Sequence, residues 1–273
     1  MPVKNVLPIV KVGIVVLIAF ALLWASYTDT VARFVWQTFS WDALVLRSTN
    51  GELHYEVGSE YMNTSHSSLY DLNRAELFLR RAAVLDPQLP FVYHELARVL
   101  FLKGEFNEAL TYGNLQVLLH GDEHPNAYYV RGLIQGFWGN YSEAVTDYEH
   151  FLRAYPTNWA GLNDYAWVLL KDKRWGDALD TINYGLIFWP QNPWLLNSKA
   201  TALFELDRLD EAQQTALQAE EAVSRLTESD WDKAYPGNDP LIAADGVVAF
   251  KKAVRENIHM ITRAIETGQK TVQ

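Results

Sequence analysis

Five alanines recur along this chain at an almost constant interval. Ala75, Ala109, Ala144, Ala178 and Ala212 are separated by 34, 35, 34 and 34 residues. Small or apolar residues lie around each of them at steps of three or four, which places these residues on one face of a helix. A fixed period near 34 residues is typical of helix–turn–helix units that stack side by side. The interval therefore predicts an all-α solenoid of about five units.

The unit around Ala144 shows the pattern most fully. Gly139 precedes this alanine by five residues, and Tyr148, Phe151 and Pro156 follow it by four, seven and twelve. Because proline cannot continue a helix, it ends the unit and sets the turn into the next one. Before four of the alanines, a bulky residue stands sixteen positions back and a small one twelve back, which predicts two closely packed helices. These pairs are Tyr93 and Ala97, Tyr128 and Gly132, Leu162 and Ala166, and Leu196 and Ala200.

This arrangement resembles the tetratricopeptide repeat (TPR) family, whose pattern places L-G-x2-Y in a first helix and A-x3-F with a later proline in a second. The resemblance covers roughly residues 53–224. It implies a right-handed solenoid that binds protein segments on its concave side. Three departures are visible: an insertion within residues 62–70, one extra residue near residues 120–125, and no proline after the last unit.

The two ends of the chain lie outside the repeats and complete a division into four predicted regions. Residues 1–27 form a membrane anchor, 28–52 a juxtamembrane amphipathic segment, 53–224 the solenoid of five repeats, and 225–273 a linker and a capping helix. After residues 239–240, which favour a helix start, apolar residues recur every three or four positions. We expect this helix to cover the open end of the solenoid. Its alternative use is a contact between copies of the chain.

An uncharged stretch, residues 12–27, follows a start that contains Lys4 and Lys11. Residues 9–27 together approach the ~20 residues that a bilayer requires, and Trp24 would lie at the interface. The two lysines predict a single-pass membrane protein with a cytoplasmic N-terminus and repeats on the periplasmic or extracellular side. A cleaved signal peptide is the alternative interpretation of the same stretch.

Between the anchor and the repeats lies a second apolar pattern. Val31, Phe34, Val35, Phe39 and Trp41 are spaced so as to form one face of an amphipathic helix. Such a helix could lie on the membrane surface or continue the anchor helix. The sequence leaves both arrangements open.

The composition argues against several kinds of chemistry. The chain has no cysteine, and therefore no thiol nucleophile, disulfide or lipidated cysteine. Its formal net charge of −10 disfavours binding to nucleic acid. His120 and His124 flank two carboxylates, but their spacing resembles no specific metal loop, and a solvated turn is the favoured interpretation. In the absence of a phosphate-binding loop or a nucleophile elbow, we predict that the protein is not an enzyme and uses no cofactor or metal.

The resemblance to TPR proteins also indicates a candidate site, because the second, fifth, ninth and twelfth positions of their units face the concave groove. Aromatic side chains at these positions offer apolar contact area with few rotatable bonds. Asn163 and Asn197 could hydrogen-bond an extended backbone, whereas Arg98 is the one cation, which disfavours a carboxylate clamp. Alternatively, the aromatic side chains form core. The predicted groove comprises Phe91, His94, Arg98, Phe101, Asn126, Tyr129, Leu133, Asn163, Trp167, Trp194, Asn197 and Phe204.

The predicted function is a membrane-anchored TPR scaffold that binds a partner protein in this groove. The partner would be an extended peptide or a subunit of a cell-envelope or membrane complex. Two alternatives remain open: a structural subunit that self-assembles into an oligomer, and an assembly factor that faces the cytoplasm.

Overall fold

A computed structural model describes residue 24 and residues 28–63, 68–235 and 238–268. Throughout these ranges the secondary structure is helical, with short connecting turns and no strand. The all-α class predicted from the repeat is therefore confirmed.

Ten of the helices form five consecutive pairs, and the two helices of a pair contact each other extensively. The first helices of the pairs are α3 (Gly51–Glu60), α5 (Val92–Leu102), α7 (Asn126–Trp138), α9 (Trp159–Lys171) and α11 (Pro193–Glu205). The second helices are α4 (Leu72–Leu85), α6 (Phe106–His120), α8 (Tyr141–Ala154), α10 (Trp175–Phe188) and α12 (Leu209–Ser224). The pairs are flanked by α1 (residues 28–39), α2 (Asp42–Val45), α13 (Glu228–Ala234), a 3₁₀ turn (Pro240–Ile242) and α14 (Ala243–Thr267).

Asparagines begin two successive first helices at equivalent repeat positions. The Asn158 side chain accepts a hydrogen bond from the Gly161 amide at 2.8 Å, and Asn192 accepts one from the Leu195 amide at 3.0 Å. These bonds satisfy amides that have no partner within the helix. Pro193 stands at the first turn of α11, where its missing N–H costs nothing.

The recurring alanines lie where the two helices of a pair touch. All five are fully buried, at 0% exposure. Opposite Ala144 in the third pair is Gly132, where a Cβ would lie 3.4 Å from the Ala144 carbonyl oxygen and 3.2 Å from the Asp147 Cβ. The helices of this pair approach so closely that only a small residue fits between them. The close packing predicted from the alternation of bulky and small residues is confirmed.

The pairs stack in a consistent way, since each second helix packs against the first helix of the next pair. Successive first helices also contact each other from α5 to α11, whereas contacts between successive second helices are few in the described chain. The stack therefore curves toward its first helices, as a solenoid does. We call the surface shared by α5, α7, α9 and α11 the inner face.

The N-terminal end of the stack is covered by α1. Ala32 and Trp36 of this helix are buried in the same core cluster as α3 and α4. Phe34, Phe39 and Trp41 of the predicted amphipathic face are exposed, so the core contacts of this helix come from other residues. The repeat itself supplies the reason: the end of an α-solenoid is an apolar surface that needs a cover.

The C-terminal end is covered by α14. This helix packs mainly against α12 and also against α11, in the place that the first helix of a further pair would take. Val254, Ile261 and Ala264 are fully buried in that contact. The short helix α13 packs against α14.

Among the described residues, no helix is long and apolar enough to cross a membrane. This finding contradicts the predicted localisation as a single-pass membrane protein with its repeats on the periplasmic or extracellular side, and that prediction is withdrawn. Residues 9–27, the predicted span, lie outside the described residues except for Trp24. The 25-residue helix α14 is long enough to cross a bilayer but not apolar enough, because Asp245, Lys252 and Arg255 interrupt its apolar residues.

Candidate functional site

Three aromatic rings cross the inner face near the ends of three successive first helices. Phe137 of α7 lies between Phe101 of α5, at 5.2 Å between ring centroids, and Trp167 of α9, at 5.0 Å. These separations are typical of favourable aromatic pairs. Phe137 is 56% exposed, whereas the other two rings are half-buried. We call these three residues the aromatic ladder.

The position of Trp167 in the ladder depends on a glycine. A Cβ on Gly136 would lie 2.9 Å from Cζ3 of the Trp167 ring and 3.1 Å from Cγ2 of Val168. The absence of a side chain at Gly136 thus lets α9 place its indole directly against the backbone of α7.

A surface cavity of about 310 Å³ opens beside the α5 end of the ladder. Phe106, one of its lining residues, contacts Phe101 at 5.9 Å between ring centroids. The lining residues are Gly104, Glu105, Phe106, Asn107, Glu108 and Trp138.

A second aromatic cluster lies at the start of α5, next to a residue with an unusual backbone conformation. Phe91 has a φ of 69° and precedes the helix, and its ring lies 4.3 Å from the His124 ring between centroids. The His94 backbone N–H donates to Oε1 of Gln116 at 3.0 Å. Burial lowers the pKa of the His94 imidazole, so this side chain is neutral near pH 7.

The remaining predicted residues of α5 and α7 differ in exposure. Arg98 is half-buried and donates to the Glu95 carboxylate at 2.8 Å. Asn126 is exposed. Leu133, which stands between Tyr129 and Phe137 in the sequence of α7, is half-buried. The single predicted cation of the groove is thus already paired with an acid.

A carboxylate that the sequence did not single out joins α7 to α9. The Tyr129 hydroxyl donates to Oδ2 of Asp164 at 2.6 Å, and the Asn163 amide donates to Oδ1 at 3.3 Å. Burial raises the pKa of Asp164 to about 6, although these two hydrogen bonds act in the opposite direction. Burial likewise raises the Tyr129 pKa well above its ordinary value.

The two asparagines predicted to bind an extended backbone hydrogen-bond to the chain itself. Oδ1 of Asn163 accepts from the Ser198 hydroxyl of α11 at 2.9 Å. Oδ1 of Asn197 accepts from the Asn257 amide of α14 at 2.8 Å. In this conformation their carbonyl oxygens join neighbouring helices rather than facing an empty groove.

Two of the predicted aromatic residues are buried. Phe204 is 4% exposed and belongs to the core cluster that also includes Ile261 of α14. Trp194 is 8% exposed and stacks on Phe250 of α14 at 5.4 Å between ring centroids. Trp194 is buried because Tyr235 and Phe250, which follow the repeats, pack against it.

The sequence placed Phe137 only at the edge of the groove, directly after the last groove position of its unit, and did not single out Asp164 or Tyr235. Phe250 belongs to the regularly spaced apolar residues of the helix predicted to cover the end of the solenoid, but its contact with Trp194 was not predicted. No comparable signal existed for Tyr235, because it belongs to no repeat and its contacts depend on how the C-terminal segment folds back.

Comparison with known proteins gives one family match and several structural neighbours. The tetratricopeptide repeat model matches residues 125–158. A double mutant of MamA RS-1 superposes with a TM-score of 0.57 at 14% identity, over 63% of this chain and 93% of that one. YrrB, described as a TPR protein with an unusual peptide-binding site, gives 0.55 at 14% identity, over 67% and 92%. MamA AMB-1 gives 0.55 at 17% identity, over 63% and 99%. No curated protein matches the chain.

At these identities the structural likeness shows the fold alone. The family model adds sequence evidence for one unit, the one that contains Gly132 and Ala144. The same spacing and the same buried alanines recur in the other four units. The chain therefore contains a tetratricopeptide repeat at residues 125–158 and shares the fold of solved structures that include a TPR protein.

Proposed function

We propose that this protein is a scaffold that binds a segment of a partner protein along the aromatic ladder of its inner face, with no chemical step of its own. The observation that carries this proposal is the exposure of Phe137. A large apolar ring that is 56% exposed lies between two other rings on the side toward which the solenoid curves. Aromatic side chains in such positions are enriched among binding hot spots.

The geometry of the ladder suits an extended or helical protein segment. Its three rings come from three successive helices, so they line a continuous path across the repeats rather than one isolated pocket. The cavity of about 310 Å³ beside Phe106 extends this path and could receive one side chain of the partner. The description of YrrB as peptide-binding supports the proposal by analogy of fold.

The test is quantitative affinity capture with the full-length protein and two matched variants. Phe137→Ala removes the exposed ring of the ladder, and Phe188→Ala removes a ring of α10, a second helix, that is 47% exposed. We expect partners retained by the wild type to be lost with Phe137→Ala and kept with Phe188→Ala.

Because both side chains are about half exposed, both variants should keep the wild-type melting temperature within a few degrees. Equal capture by the wild type and Phe137→Ala would reject the ladder as the binding site. Loss of capture with Phe188→Ala alone would place the site on the second helices instead.

A further inference from the structure

A second aromatic site lies on α9 and α11, and it is already occupied by the chain itself. Trp194 stands between Trp159 of α9, at 5.0 Å, and Phe250 of α14, at 5.4 Å between ring centroids. Its indole Nε1–H donates to the Tyr235 hydroxyl oxygen at 2.9 Å. Tyr235 directly follows α13. We call Glu228 to Tyr235 the α13 segment.

The α13 segment is attached to the solenoid by few side chains. Its helix has seven residues, none of them buried. Trp231 and Tyr235, four residues apart and therefore on one side of the helix, are its aromatic anchors, with ring centroids 4.3 Å apart. The segment also organises its own first turn, since Thr227 and Asp230 form a capping box.

The fit of the segment is incomplete in one respect. Nε1 of Trp231 is buried without a hydrogen-bond partner, which carries a desolvation cost that an exposed indole would not have. Its ring lies against the backbone of α14, where a Cβ on Gly246 would come within 2.3 Å of Cε2. A short helix with few buried contacts and an unsatisfied donor belongs to the parts of a protein that open most readily.

We propose that the surface formed by Trp159, Trp194 and Phe250 is a peptide-recognition site, with the α13 segment as its resident ligand. A partner segment with two aromatic side chains four residues apart would bind there by displacing it. The occupant defines this chemistry, because Tyr235 contacts Trp194 of α11 and Trp231 lies against α14. The inference rests on the proposed function in taking the inner face as the partner-binding surface.

The first experiment measures whether the resident segment behaves as a ligand. In the full chain, Glu228 to Tyr235 are replaced by a Gly/Ser linker of equal length, so that α14 stays tethered. The probe is a fluorescein-labelled peptide with the sequence of residues 226–241. Fluorescence anisotropy should show that the peptide binds the replaced variant at least tenfold more tightly than the unaltered protein, in which the site is filled.

A variant peptide controls for nonspecific binding without altering the protein. The Tyr235→Phe peptide lacks only the hydroxyl that accepts from Trp194, and we expect it to bind several-fold more weakly. Unchanged hydrogen exchange in α12 and α14 verifies that the replaced variant keeps its fold. A folded variant that does not bind the peptide would overturn the inference, and so would equal binding to the unaltered protein.

The second experiment separates this inference from the proposed function. Partners whose capture is lost with Phe137→Ala should be captured at least severalfold more by the variant that carries the Gly/Ser linker in place of the α13 segment. If Phe137→Ala abolishes capture but replacement of the segment leaves it unchanged, the scaffold proposal stands and the displacement is rejected. If the peptide binds the replaced variant while Phe137→Ala has no effect on capture, the peptide site stands and the ladder is rejected.

Discussion

The two halves of the inner face have the same repeat geometry but differ in accessibility. On α5 and α7, Asn126 and Phe137 are exposed, and the ladder ring Phe101 is half-buried. On α11, Trp194 and Phe204 are buried, and Trp194 is covered by Tyr235 and Phe250 from the C-terminal segment. Equivalent positions in the repeat thus give an open surface in one half and a covered one in the other.

This difference shows that the repeat fixes the direction of a side chain but not its exposure. Asn197 holds a predicted groove position by its place in the repeat, and its side chain meets Asn257 of α14. Trp194 likewise meets Tyr235 and Phe250. Segments outside the repeats therefore decide which part of the face a partner can reach. Four measurements test this comparison.

The largest effect is expected in the central unit, which supports both halves. Arg131 donates two hydrogen bonds to Asp147, at 2.8 and 2.6 Å, and the Asp147 side chain is 2% exposed. Burial raises the Asp147 pKa, and the guanidinium lowers it. Arg131→Ala would leave a buried carboxylate without its partner, so we expect a loss of roughly 3–5 kcal/mol in the free energy of unfolding.

Urea denaturation measures this loss, and hydrogen exchange should show that α5 and α11 lose protection together. The control is Arg174→Ala, which removes an exposed ion pair with Asp177 and should cost about 1 kcal/mol or less. A similar small cost for Arg131→Ala would mean that Asp147 gains water or another partner. Loss of protection in one half alone would show that the halves unfold independently.

The covered half should also tolerate added volume poorly. A Cβ on Gly161 of α9 would lie 2.5 Å from Cε1 of Phe151, whereas a Cβ on Gly176 of α10 would meet nothing within 4 Å. We expect Gly161→Ala to destabilise the fold by roughly 1–3 kcal/mol through overpacking. Gly176→Ala, its matched control, should stabilise it by about 0.5–1 kcal/mol, since alanine favours a helix. Thermal unfolding distinguishes the two, and stabilisation by both substitutions would contradict the tight packing of α9.

The sequence was sufficient to predict the fold of the repeated part of this molecule. The period from Ala75 to Ala212 predicted the paired helices, because a small residue is needed wherever two helices touch. Exposure at the inner face was less predictable, since Trp194 is covered by Tyr235 and Phe250, which lie outside the repeats and far from it in the chain. The core contact of α1 was not predicted, because Trp36, which fills the end of the first pair, is outnumbered in that segment by exposed aromatic residues.

A pH titration tests the link between the two halves. Asp164 holds its proton to about pH 6 in the folded protein because it is buried, against an ordinary value of 3.8. Between these values the folded state binds more protons, so the free energy of unfolding falls as pH rises from about 4 to about 6. Tyr129 and Tyr235, which face this carboxylate, have raised pKa values and do not titrate in that interval.

Asp164→Asn removes the titrating group and keeps an oxygen that can accept from Tyr129. The stability of the variant relative to the wild type should therefore rise by about 2 kcal/mol between pH 4 and pH 7. Urea denaturation at each pH gives this difference. A constant difference across the range would mean that Asp164 is solvated and has an ordinary pKa.

The smallest effect is expected where the α13 segment meets α11. Tyr235→Phe removes the acceptor for the Trp194 indole N–H but keeps the ring. One such hydrogen bond contributes about 1 kcal/mol, so hydrogen exchange within α13 should become severalfold faster while α5 and α7 are unchanged. Tyr184→Phe, on an exposed tyrosine of α10, is the control and should change neither region. Faster exchange throughout the solenoid would show that the α13 segment is part of the core. The α11 part of the inner face would then be covered permanently, and only the part on α5 and α7 could bind a partner.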